Sequence, residues 1–434
     1  MSNPFFYGGP VSPDQFIDRL PELRRIVGRI INHGQSTAIV GEPRSGKTSM
    51  LSYVTAAEAY KRFYGPAGKR LLFSFIDAQT LGRQFDQAQF WEYALRPLHE
   101  RVIARDPVSS LVQAYELCRQ NNFGCFVLER LLAQVGAENW RLVLLLDEFD
   151  VLLHHPVLNS AEFFGSLRSL ASRSRGALVM IIASRHSLTS LNDATHQFSC
   201  TGSPYFNFLD EITLGPLPPE AIAELLLRAG DRFTADDCRF IEEVAGGYPY
   251  LLQVAASELW ESYAEKQEDP GQRWQRMGHK LYGEAGRMLG DTWRLWSPMT
   301  RRVFAAVALA SMNALERGNL HVKHSLRDMR GLEPELRLLK EQGFVVEDEN
   351  IRGGWRVRPQ VFLWWLADEL ARMVRHRVPF EEWLQKQELG SLLTRDEKEQ
   401  WGKVVQTLRE LLQDGVKALI EVGIKGIMEA MTGA

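Results

Sequence analysis

Eight consecutive residues, Gly41-Glu42-Pro43-Arg44-Ser45-Gly46-Lys47-Thr48, have the spacing G-x-x-x-x-G-K-[ST]. That spacing suits the grip of a nucleotide phosphate, because glycines let the backbone amides close around the phosphate oxygens. Lys47 is then placed to reach the β- and γ-phosphates of ATP. The Thr48 hydroxyl is placed at a Mg²⁺ ion, and Ser49 completes the nucleotide-binding stretch. A metal-bound triphosphate also needs acids. In "RLVLLLDEFD", residues 141–150, Asp147 is suited to hold Mg²⁺ and Glu148 to polarise an attacking water. Arg185, at the end of "ALVMIIASR", is a candidate for contact with the γ-phosphate. Arg173 and Arg175, in "SLRSLASRSRG", are candidates for an arginine supplied in trans to a second copy of the chain.

These side chains can act together only if the fold brings them to one edge. "QSTAIV" (35–40) is short, apolar and β-branched, which predicts a buried strand ending at Gly41. "KTSMLSYVTAAEAYKRF" then predicts one helix, whose N-terminus adds partial positive charge at the phosphates. Leu142 to Leu146 form an unbroken apolar run, the pattern of a parallel strand covered on both faces. Residues 177–185 repeat it. Parallel strands present their C-terminal ends at a common edge, so Asp147 and Arg185 should emerge beside the phosphate loop. The adjacent glutamate indicates an ATPase with a strand added between the two motifs.

The bulk composition excludes several classes. The chain has 434 residues, 45% hydrophobic and 24% charged, with a formal charge of −3. It is long enough for two to four domains and ordinary for a globular protein. It has no global basic field that would seek nucleic acid or anionic membrane. Cys118, Cys125, Cys200 and Cys238 make no metal spacing, as expected of buried thiols in a reducing cytoplasm. The N-terminus lacks the pattern of a signal peptide, and no apolar run is long enough to span a bilayer.

The α/β pattern ends near residue 215, at Gly215-Pro216 and Pro218-Pro219. Residues 216–290 read as a helical lid containing "AGGYPYLLQ", and residues 291–378 as three helices followed by a hairpin, the outline of a winged helix. From Ser297 to Val378 there are 14 basic and 10 acidic residues, and the candidate recognition helix "EPELRLLKEQG" has three glutamates against two bases. Acids on that helix favour a structural winged helix over a DNA reader. Residues 379–434 form a C-terminal extension. There Val405, Leu408, Leu412, Val416, Leu419, Gly423 and Ile427 share one helical stripe. Such a stripe either docks on its own chain or serves as an effector or self-association helix.

Over roughly residues 4–370 the order of parts resembles the STAND-class ATPases, signal-transduction relatives of AAA+ proteins that include the animal and plant NLR switches. "GEPRSGKTSML", "LLLLDEFD" and "IIASR" are similar to that class's nucleotide motifs and sensor strand. "NPFFYGGPV…FIDRLPEL" resembles its N-terminal segment, which implies that Arg19 and its neighbours fold over adenine. Asp18 stands there in place of the class's glycine. "AGGYPYLLQ" resembles its G-x-P motif, which implies that Pro249 packs on the nucleobase. Val357-Arg358-Pro359 stands where NLR proteins carry Met-His-Asp. The resemblance implies an ATP-hydrolysing switch that is closed with ADP, assembles with ATP, and acts in signalling or defence. Two rivals are a DNA-associated AAA+ ATPase of the origin-recognition or transposition-regulator type, and an adaptor that keeps ADP only as structure.

Overall fold

A computed structural model describes residues 2–17, 19–105, 109–198, 203–265, 269–315, 332–349, 354–376, 378–393, 395, 398–399, 401–403, 420–421 and 423–427. Asp18, Cys200, "SLRDMRG" and most of the C-terminal stripe lie outside these residues. The chain divides into two bodies. One comprises Pro10–Gly41 and Gly46–Leu214; the other comprises Met1–Gly9, Glu42–Ser45 and Gly215–Ala434.

The first body is built on five parallel strands: β1 (Ser36–Val40), β2 (Leu71–Asp77), β3 (Arg141–Asp147), β4 (Leu178–Ser184) and β5 (Leu209–Thr213). Their order is β2-β3-β4-β1-β5, so β4 separates the phosphate-loop strand from the acidic strand. The continuous apolar run of β3 has the predicted cause. Leu142, Leu144 and Leu146 pack into the core on one face, and Val143 and Leu145 into the core on the other. A polar residue at any of these positions would face an apolar layer on its side of the sheet.

The helix expected from Lys47 through residue 63 is shorter and covers Lys47–Val54. Thr55 turns its hydroxyl back to Ser52 O at 2.9 Å, and Ala56 is extended at φ −77, ψ 158. A local side-chain acceptor and one extended residue are enough to interrupt the helical ladder. Between β2 and β3 lies a helical insertion whose main members are Ser110–Gln120 and Cys125–Ala137.

Among its described residues the second body is helical apart from a hairpin. Its helices Pro219–Leu226, Ala235–Ala245 and Pro249–Ala264 precede a 26-residue helix, Pro270–Leu295. The boundary expected at 290/291 therefore falls inside one element. The helix continues because its buried stripe does, through Leu289, Thr292 and Trp293. Helices Pro298–Leu315 and Glu333–Glu341 lead into the antiparallel pair β6 (Val345–Glu347) and β7 (Trp355–Val357), then helix Gln360–Arg375. Trp296 anchors this region against Phe304, Phe344 and Phe362, with ring centroids 4.9–5.3 Å away. Two ion pairs join the hairpin end to helix Ala235–Ala245: Arg356 to Glu243, and Arg358 Nη2 to Glu242 Oε1 at 2.6 Å. Arg358 is thus a salt-bridge partner of that helix.

In the C-terminal stripe, Ile420, Ile424 and Ile427 are buried. Ile420 and Ile424 lie against Gly278, and Gly423 lies against the Trp364 indole. This described part of the stripe is docked on its own chain. Among the described residues no helix is long and apolar enough to cross a membrane.

Candidate active site

The loop from Gly41 to Thr48 joins β1 to helix Lys47–Val54, and its backbone takes conformations that wrap a small anion. Gly46 has φ +99, which costs a glycine little. Arg44 also has a positive φ, +62. The Ser45 hydroxyl is buried and has no hydrogen-bond partner, an orphaned donor that suits a phosphate cradle. Lys47 is buried, and its Nζ donates to Gly41 O at 2.7 Å, which lays the ammonium across the loop. Glu42, Pro43, Arg44 and Ser45 form the loop's tip. The Arg44 guanidinium lies 4.2 Å from the centre of the Tyr250 ring, one residue after Pro249, which opens its helix.

Thr48 and Asp147 meet through a hydrogen bond between their side chains. Burial raises the Asp147 carboxyl above the ordinary aspartate range, and the bonds from Thr48 and from the Glu148 N–H partly oppose that. A hydroxyl beside a buried carboxylate is the oxygen donor set that suits a hard divalent cation, so these residues fit Mg²⁺. Register places Asp77, the last residue of β2, directly beside Asp147. Asp77 was not singled out from the sequence. The signal was present, since "RLLFSFID" ends as "RLVLLLD" does, but only sheet pairing brings the two acids together.

Glu148 leaves β3 in the left-handed region, φ +48, ψ 44, and so turns its side chain off the strand direction. Arg185 emerges from β4. Its Nη2 and Nε donate to the same Glu148 oxygen at 2.8 and 3.2 Å. The Arg185 N–H donates to Asp150 Oδ1 at 3.1 Å. The structure therefore brings Lys47, Thr48, Asp147, Glu148 and Arg185 to one sheet edge.

It does not bring Arg173 and Arg175 there. Arg173 pairs with Glu129 at 3.4 Å, and Arg175 sits in the turn that enters β4, at the N-terminal edge of the sheet. The phosphate loop leaves the opposite edge, because parallel strands put all their entries on one side. Within this chain neither arginine belongs to the site.

Arg19 is buried with φ +67 and lies 3.5 Å from Glu22. The N-terminal segment divides between the two bodies. In the first body, Val11 N–H donates to Ser49 Oγ at 3.2 Å and Phe16 stacks on Tyr53 at 4.6 Å, so residues 11–16 lie along the phosphate-loop helix. In the second body, Asn3 bonds Ser257, Phe5 stacks on Phe233 at 5.7 Å, and Phe6 N–H donates to Gln253. Gly8-Gly9 is where the chain passes from one set of contacts to the other.

Residues 9–268 match the family model described as an AAA-like domain. The chain belongs to the AAA-like family. Solved structures similar to this AAA-like chain include the Walker-type ATPase PabY2304 of Pyrococcus abyssi, at 18% identity, TM-score 0.48, covering 81% of this chain and 96% of that one. Aeropyrum pernix ORC2, in ADPNP-ADP complexes, is similar at 14% identity, TM-score 0.47 and coverage of 84% and 98%. Drosophila ORC bound to DNA is similar at 16% identity, TM-score 0.41 and coverage of 82% and 88%. No curated protein matches the chain.

Proposed function

We propose that this AAA-like protein binds and hydrolyses ATP as a STAND-type switch whose assembly state follows the nucleotide. The observation that carries the proposal is the convergence of Lys47, Thr48, Asp147, Glu148 and Arg185 at one sheet edge. In this scheme the loop amides and Lys47 bind the β- and γ-phosphates. Thr48 and Asp147 would hold Mg²⁺, which when bound would offset charge on those oxygens. Glu148 orients a water and takes its proton as the oxygen attacks the γ-phosphorus, so that ATP and water become ADP and phosphate. Arg19, with the segment around it, would lie over the adenine.

The lid is assigned to residues 216–290, the winged helix to 291–378 and the C-terminal extension to 379–434. The C-terminal helix, docked where it is described, would be released on activation and pair with a second copy or another protein. A cytoplasmic role in signalling or defence fits this design.

The test is calorimetry with Mg-ATP and Mg-ADP, with light scattering in each nucleotide. Lys47→Ala is expected to lose ATP binding. Glu148→Gln is expected to retain it while turnover falls by about 10²-fold or more. That variant should also accumulate as the ATP-bound assembly. Normal turnover in Glu148→Gln removes that residue from the mechanism. Salt-dependent duplex binding without nucleotide-dependent assembly would instead favour the DNA-associated ATPase.

A further inference from the structure

The residue that would activate water is already engaged. Glu148 Oε2 accepts from both Nη2 and Nε of Arg185, at 2.8 and 3.2 Å. A carboxylate oxygen holding two guanidinium donors is a poor acceptor for a water proton, and its charge is offset by the cation. The pair is partly exposed, 24% for Glu148 and 30% for Arg185, so it is weak enough to be displaced. A third group shares the cation. Asp150 is buried, takes the Arg185 N–H at 3.1 Å, and has its other oxygen 3.9 Å from Arg185 Nε. Asp150 therefore fixes the main chain of Arg185 while leaving its side chain a choice of partner.

We infer that Arg185 is a positioning residue with two alternative partners. It clamps Glu148 when no γ-phosphate is present and moves to the γ-phosphate when ATP binds, which frees Glu148 to orient water. Hydrolysis is thereby restricted to the triphosphate state by the same side chain that detects it. The inference rests on the nucleotide-binding reading above. It adds that Glu148 and the γ-phosphate compete for one guanidinium.

Competition has a signature that needs no turnover. The affinities of Mg-ADP and of a hydrolysis-resistant Mg-ATP analogue are measured by calorimetry for the wild type, Glu148→Gln, Arg185→Gln and the double variant. Glutamine keeps the shape of Glu148 but removes the charge that holds Arg185. Glu148→Gln is expected to tighten the triphosphate analogue by about three- to tenfold while changing ADP by less than about twofold. Arg185→Gln is expected to weaken the analogue by about tenfold and spare ADP. In the Arg185→Gln background the gain from Glu148→Gln should vanish, because nothing remains to be released.

A gain that persists without Arg185 would mean simple relief of repulsion between Glu148 and phosphate, and overturns the proposal. So does a Glu148→Gln variant with unchanged triphosphate affinity, or one that tightens both nucleotides equally. If Arg185→Gln does not fold, Arg185→Lys serves in the same cycle. It keeps the charge but loses the two-donor edge, and the gain from Glu148→Gln should shrink. A wild type that binds neither nucleotide would overturn the functional reading itself, and this inference with it.

Discussion

At Asp147 the requirements of the site oppose those of the fold. Its carboxyl is buried at the end of β3, next to Glu148 and in register with Asp77, and burial raises it despite the bonds from Thr48 and the Glu148 N–H. A group whose folded value lies above its unfolded one stabilises the protein fully below the unfolded value, near 3.8. That contribution is lost as pH rises through the folded value. At neutral pH the ionised carboxylate is therefore a cost to the nucleotide-free protein. Asp147→Asn keeps acceptors for Thr48 and for the Glu148 N–H but removes the charge. It should raise the nucleotide-free melting temperature at pH 7 by roughly 1–4 °C. The gain should fade as pH falls toward 4. The same variant should lose most of the extra stability that the wild type gains from Mg-ATP. Thermal scans with and without Mg-ATP decide it: an unchanged or lowered nucleotide-free midpoint at pH 7 would show that burial of this charge is not costly.

At the scale of elements, what could be read from the sequence was what is written locally. β3 and β4 announced themselves because a strand covered on both faces needs an unbroken apolar run, β1 by its short β-branched run, and the phosphate loop because its glycines and lysine fall at fixed spacing within eight residues. What could not be read depends on pairing between distant segments. The Asp77–Asp147 register, the Arg185–Glu148 pair and the seat of Phe5 on Phe233 leave no periodic trace in the chain. The turn Gly246-Gly247 is of the same kind. Leu217 N–H donates to Gly247 O at 2.7 Å, and a Cβ on Gly247 would lie 2.5 Å from Pro216 Cβ and 2.8 Å from Leu217 O. Gly247→Ala should therefore destabilise the protein by about 1–3 kcal/mol, as overpacking against backbone does. Gly283, within helix Pro270–Leu295, has nothing within 4 Å of its Cβ position, so Gly283→Ala should stabilise by about 0.5–1 kcal/mol. Denaturant unfolding of the two variants should give shifts of opposite sign, and equal shifts would contradict the packing described for this turn.

For the whole molecule, the decisive segment is the C-terminal stripe, because in the proposed switch it would connect the nucleotide cycle to assembly. Ile420, Ile424 and Ile427 are buried, and Gly278 leaves room for the first two. Gly423 leaves room for Trp364, whose buried indole nitrogen would lie 2.3 Å from a Cβ placed there. The contact thus rests on one glycine from each side and one indole, and a single larger residue can empty it. Gly423→Leu should undock the stripe without touching the phosphate loop, Asp147 or Glu148. ADP and ATP affinities should stay within about twofold, because the docked contacts involve neither. Undocking exposes a row of apolar side chains that water disfavours by roughly 1.5–3 kcal/mol for each large one, and a second copy can cover them. A ligand moves such an equilibrium only by its differential affinity, so a stripe released by mutation no longer needs ATP to shift it. Gly423→Leu is therefore expected to assemble in ADP as well as in ATP, and deletion of residues 404–434 to remain monomeric in both. Light scattering in each nucleotide separates the outcomes. A Gly423→Leu protein that is merely less stable, and monomeric with either nucleotide, would make the stripe a plain part of the core and place the assembly surface elsewhere.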